Sequence, residues 1–388
     1  MDHRRIASLD SLRGLAALLV VFTHCAGVYA APSWWVTHLP MSVLFWSGHG
    51  FVLVFFALSG YVLFTPFAKA MPRIDLYLVK RTARIYPPFA ASILLSAALY
   101  FAVAPMNVTG LSDWFNLGSW SRTPTPLVIA GHLAMTDVRD LHSLNNVMWS
   151  LVHEMRISVA YPLIALCVRS NWRATTSGLF VVSVLSAFLN QHHPFAIAGF
   201  DPAATGSYLF LFAAGAALNL NSAAIRRWAA SADRRIIVLL FAASLATIAS
   251  PVDEAAITII FGSFAALTIV GLCAAGTGDR VLLQAVPLWL GRVSYSLYLI
   301  HLIVLLTLVH LFAGRIPMLV ILGSVVAISL LAAEAMYRLV ELPSIELGRK
   351  LTDLLTPSGR SGKPGGRIPG DGFSDPHAPA LTGQRVPR

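Results

Sequence analysis

The chain has 388 residues, of which 56% are hydrophobic and only 12% charged, with a formal net charge of +10, and its mean hydropathy is +0.70. Soluble domains carry about twice that share of charge, so the composition excludes one and reads as a polytopic membrane protein. The positive excess is taken up by membrane-flanking loops and a tail, and it implies no nucleic-acid partner.

Stretches apolar enough to cross a bilayer need about 20 residues each. In chain order they fall near 12–31, 48–68, 86–105, 147–168, 175–190, 204–220, 235–251, 255–275, 285–311 and 317–340. The expected fold is therefore an all-α transmembrane bundle of about ten spans. With Arg4 and Arg5 inside, the inside loops also hold Lys69, Arg73, Lys80, Arg81, Arg84, Arg169, Arg173, Arg226, Arg227, Arg234, Arg235 and Arg280. The outside loops hold only Arg122, Arg139 and Arg315. That bias predicts both termini on the cytoplasmic side.

The first segment, SLRGLAALLVVFTHCAGVYAA, carries Arg13 and His24. Ionisable groups inside a span are costly, and they mark chemistry, transport or a proton path. MDHRR and VYAAP also resemble the ends of a signal peptide, but the run is long, carries Arg13, Thr23 and His24, and its removal would leave an odd number of spans, so it is expected to remain as a span. Cys25, Cys167 and Cys273 lie in or at the ends of apolar segments without metal-ligand spacing and read as small packing residues. The His153-Glu154 pair has Ile157 where a zinc-protease motif needs its second histidine, so no metal is expected.

The longest loop, about 105–147, lies outside and contains Trp114, Trp120, Asp113, Asp137, Asp140, His132 and His142. Its aromatics fit either a sugar-stacking surface or the membrane interface. From 357 onward the chain is rich in Pro, Gly and Ser and has little to bury. We place a membrane domain over 1–345 and a disordered cytoplasmic tail over 346–388.

Depth makes the chemistry concrete. At 1.5 Å rise per residue, His24 stands roughly 20 Å above the cytoplasmic face, and Glu154 and His301 reach about the same height on two other spans. Arg81 and Arg84 lie three apart at the opposite level, with Arg13 near them. Their guanidinium forks suit phosphate oxygens, and they fit positive-inside anchoring equally well. His301 fits a second proton carrier or a histidine bonded to nearby backbone. Ser59, Gly60 and Tyr61 read as a close-packing site rather than a nucleophile.

At this point the residues resemble the acyltransferase-3 family of integral-membrane acyl transferases, over about 5–345. The resemblance rests on LDSLRGLAALLVVFTH with Arg13 and His24, and on GHGFVLVFFALSGYVLF with Ser59. It continues through KRTARIYPPF with Arg81 and Arg84, NNVMWSLVHEMRISVAYP with Trp149, Ser150 and Glu154, GRVSYSLYLIH with His301, and the ELP that begins at Glu341. It implies that Arg13 and His24 are the family's essential pair, that Arg81 and Arg84 bind acyl-CoA, with acetyl as the default group, and that Glu154 is the acidic residue after the family's WSL. It also implies an O-acyl acceptor such as a surface polysaccharide or glycolipid, and a bacterial inner membrane. His153 and Arg156 depart from the residues usual around that glutamate, and no hydrolase-like domain is expected after the last span.

On this reading acyl-CoA docks from the cytoplasm on Arg81, Arg84 and Arg13. His24, oriented by Glu154, then serves as general base or carries the acyl group itself. Trp149, Ser59 and His301 are accessory candidates. A secondary transporter is the competing class; it predicts inverted repeats, which the sequence does not display.

Overall fold

The computed structural model describes residues 3–29, 48–136, 143–192, 201–250 and 257–356. Within them the regular secondary structure is helical, with a single isolated bridge between Tyr29 and Leu111. We label the principal helices α1 (His3–Gly27), α2 (Gly48–Phe67), α3 (Ile74–Val103), α4 (Met148–His192), α5 (Leu209–Leu220), α6 (Arg234–Ala249), α7 (Ser263–Ala274), α8 (Ala285–Phe312), α9 (Met318–Met336) and α10 (Leu342–Leu354).

Each of the ten expected apolar segments is mainly helical over its described residues, but among those residues only seven helices are long and apolar enough to cross a membrane. The difference has local causes. The segments near 147–168 and 175–190 join in α4 across a kink at Asn171, whose φ of -151° and ψ of 89° are not helical. The segment near 235–251 yields the 16 residues of α6, and the one near 255–275 yields a helix over Thr258–Ala274. Both are short of the roughly 20 residues a bilayer core needs.

α3 also begins at Ile74 rather than near 86, because the charged stretch before the apolar run continues the same helix. Arg81 and Arg84 therefore sit inside a 30-residue helix and not below a span. At the other end, α10 carries the helical domain past 345 to Leu354. The expected tail from 357 onward lies outside the described residues.

The helices are held by apolar packing sharpened at glycines. α1 and α8 form the most extensive helix pair. A Cβ on Gly14 would collide with the Leu290 and Gly291 backbone, and one on Gly291 would stand 2.7 Å from the Asp10 carbonyl carbon. Small residues at such a crossing let two backbones touch. Gly60 on α2 likewise faces the Phe212 backbone of α5, which confirms its close-packing role.

Candidate active site

The α1–α8 crossing sets the site. His24 lies ten residues beyond Gly14, and His301 lies ten beyond Gly291. Helices running in parallel from a shared crossing carry such residues up together, about 15 Å along the axis at 1.5 Å per residue. The outcome is direct contact: His24 Nδ1 and His301 Nε2 are 2.7 Å apart, with nearly parallel rings at 7°.

The proton positions follow from what surrounds the pair. His301 Nδ1 is 3.0 Å from the Leu297 carbonyl, which can only accept, so that nitrogen carries the proton. A neutral His301 then offers Nε2 as an acceptor, and His24 Nδ1 donates to it. His24 Nε2 is left with its lone pair available, which is the arrangement a general base requires. Trp114 closes the other side of the imidazole, stacked on it at 5.2 Å and 18°.

Glu154 is not part of this pair. Its Oε1 accepts from Arg81 at 2.5 Å and from Ser59 Oγ at 2.7 Å, so the expectation that it orients His24 gives way to His301. The height arithmetic missed this because it placed Arg81 below the membrane. With Arg81 two turns into α3, its long side chain reaches the carboxylate. Arg81 Nε is held by Ser158 Oγ at 3.0 Å, and the residue is 8% exposed.

That ion pair borders a cavity of about 570 Å³. Five arginines line it, Arg13, Arg81, Arg84, Arg292 and Arg349, against the three carboxylates of Asp10, Glu154 and Glu341. Arg13 pairs with Asp10 at 2.8 Å. Glu341, 1% exposed, accepts from Ser296 Oγ at 2.7 Å and stands within electrostatic reach of Arg84. The excess of cations in a chamber walled by Val52, Phe55 and Leu63 suits an anionic ligand with an apolar arm. At its far end the wall includes Ser150 and Tyr298, which share a hydrogen bond of 2.8 Å. The Tyr298 ring is 6.0 Å from that of His301. Arg292, Arg349 and Tyr298 were not among the sequence candidates; the positive-inside pattern could have flagged Arg292 and Arg349, whereas nothing in the spacing singles out Tyr298.

The remaining candidates are accounted for by their contacts. Trp149 packs among His49, Phe56, His153 and Tyr208. His153 Nδ1 meets Thr205 Oγ1 at 3.0 Å, and Arg156 donates to the Met135 carbonyl at 3.0 Å rather than pairing with Glu154. Trp120 is buried and donates to Ser96 Oγ at 2.9 Å, so it is an interior residue and not a sugar platform. Asp137, Arg139, Asp140 and His142 lie outside the described residues. Cys25 and Cys273 are buried, while Cys167 is exposed on the helix surface.

Comparison with known proteins bears on this geometry. A family model described as an acyltransferase domain matches residues 6–337. The chain is also 30% identical over 168 residues to the acyltransferase MdmB of Streptomyces mycarofaciens, an alignment covering 41% of this chain and 39% of that relative. No solved structure gives a significant match.

Proposed function

The chain belongs to the acyltransferase-3 family of membrane acyltransferases, and from that premise we propose that it moves an acyl group, acetyl by default, from cytoplasmic acyl-CoA to a hydroxyl on the opposite side of a bacterial inner membrane. The observation that carries this reading is the arginine-lined cavity ending one ring short of the His24–His301 pair. The positive-inside bias puts the arginine end of the bundle in the cytoplasm, where CoA is.

The donor's phosphates rest on Arg84 and Arg13, with Arg81 held by Glu154 at the wall. The pantetheine arm runs up the apolar side of the cavity toward Tyr298, and the thioester passes it to reach His24. There His24 Nε2 removes the proton from the acceptor hydroxyl as its oxygen attacks the thioester carbonyl. The C–O bond forms, the C–S bond breaks, and the CoA thiolate takes the proton back from His24. Direct attack by Nε2 to give a transient acyl-histidine uses the same geometry. In either route His301 fixes the tautomer of His24, as a carboxylate does in a catalytic triad. The acceptor enters from the Trp114 side, and a surface polysaccharide or glycolipid hydroxyl is the class proposed.

Calorimetry of the purified chain with acetyl-CoA, combined with transfer of labelled acetyl groups to cell-surface carbohydrate, tests the reading. Wild type binds, Arg84→Ala loses binding, and His24→Ala binds but does not transfer. A folded wild type that binds no acyl-CoA, or a His24→Ala protein that transfers normally, sinks it.

A further inference from the structure

α10 lies beyond the residues that match the family model, which end at 337. It nevertheless forms part of the cavity, through Leu342, Ile345 and Arg349. A glycine notch seats it: a Cβ on Gly348 would stand 2.7 Å from Ala83 Cβ and 3.8 Å from Lys80 Cα, so α10 lies directly on the Lys80–Ala83 turn of α3. The residue that follows the notch, Arg349, is thereby brought to the cavity wall.

Its electrostatic situation differs from that of the arginines around it. Arg13 has Asp10, Arg81 has Glu154, and Arg84 faces Glu341. Arg349 Nε is buried yet has no acceptor among the described residues. A desolvated N–H without an acceptor is rare in folded proteins, and a ligand that completes it is a common reason for its persistence. A guanidinium with an unused donor in a cation-rich chamber is a phosphate site by charge and by fork geometry.

We propose that Arg349 binds a phosphate group of the acyl-CoA donor, so that α10 serves as a clamp holding the nucleotide end of the ligand in the cavity. This rests on the donor reading above and assigns part of that donor's binding to a segment the family match does not cover. The same chemistry could be met by a lipid phosphate, since Leu347, Leu351 and Leu354 make one side of α10 exposed and apolar, suited to a membrane interface.

The test is calorimetric titration of CoA into the full chain in phosphatidylcholine nanodiscs, for wild type, Arg349→Gln, Arg349→Lys and the neighbouring control Lys350→Gln. Loss of one charge-assisted contact predicts CoA binding about tenfold weaker for Arg349→Gln. Arg349→Lys should fall between Arg349→Gln and wild type, and Lys350→Gln should bind like wild type. Equal CoA affinity for wild type and both Arg349 variants overturns the inference. So does a difference that appears only when phosphatidylglycerol replaces phosphatidylcholine, which assigns Arg349 to a lipid. A folded wild type with no affinity for CoA defeats the donor reading itself, an outcome distinct from the other two.

Discussion

His24 and His301, on the first helix and on the helix that opens at Ala285, share a hydrogen bond of 2.7 Å although 277 residues separate them in the chain. Each stands ten residues beyond a glycine of one backbone crossing. The imidazole proposed as the base is thus positioned by another span, and its tautomer is set by a backbone carbonyl one turn below on that span.

This relay predicts a graded response at position 301. His301→Ala removes the acceptor for His24 Nδ1–H and should lower kcat by about 10²-fold, the low end of what a positioned general base contributes. His301→Asn keeps an amide oxygen that can accept, and should retain more activity than the alanine variant. Comparing the two kcat values at unchanged KM for acyl-CoA distinguishes positioning from simple loss of packing; equal activities would argue against the relay.

Removing Arg81 should act first on stability. Its loss leaves the Glu154 carboxylate, 18% exposed at the side chain, without its cation, and breaking a buried pair from one side costs about 3–5 kcal/mol. Arg81→Ala should therefore melt well below wild type in detergent. Adding Glu154→Gln should recover much of that loss, because the uncompensated charge is gone. Thermal melts of the three proteins measure it.

Trp114 stacks on His24 and touches the turn of α1 at Gly27. Aromatic pairs of this kind contribute about 0.5–1.5 kcal/mol beyond area burial. Trp114→Ala should lower kcat by up to about tenfold, with acyl-CoA affinity unchanged, and Trp114→Phe should keep most of the rate. Steady-state kinetics on the three proteins decide this, and a change confined to donor KM would contradict it.

Tyr298 stands between the cavity and His301, bonded to Ser150. If the thioester passes this point, a bulkier Tyr298→Trp side chain should obstruct the passage and lower kcat while CoA itself binds within about twofold of wild type, a difference under 0.5 kcal/mol. Single-turnover transfer measured beside CoA titration separates the two effects.

Sequence alone determined that the chain is a helical membrane protein, because hydropathy and charge asymmetry are properties of single segments. It also singled out Arg13, His24, Glu154 and His301 as ionisable groups that are costly inside a span, and all four line or adjoin the candidate site. The tertiary structure decided who pairs with whom. Rise per residue gives depth along one helix but says nothing of its rotation, its tilt or its neighbour. Hence Glu154 was legible as a buried acid while its partnership with Arg81 was not, and Arg349 entered the cavity only because Gly348 lets α10 lie against Ala83.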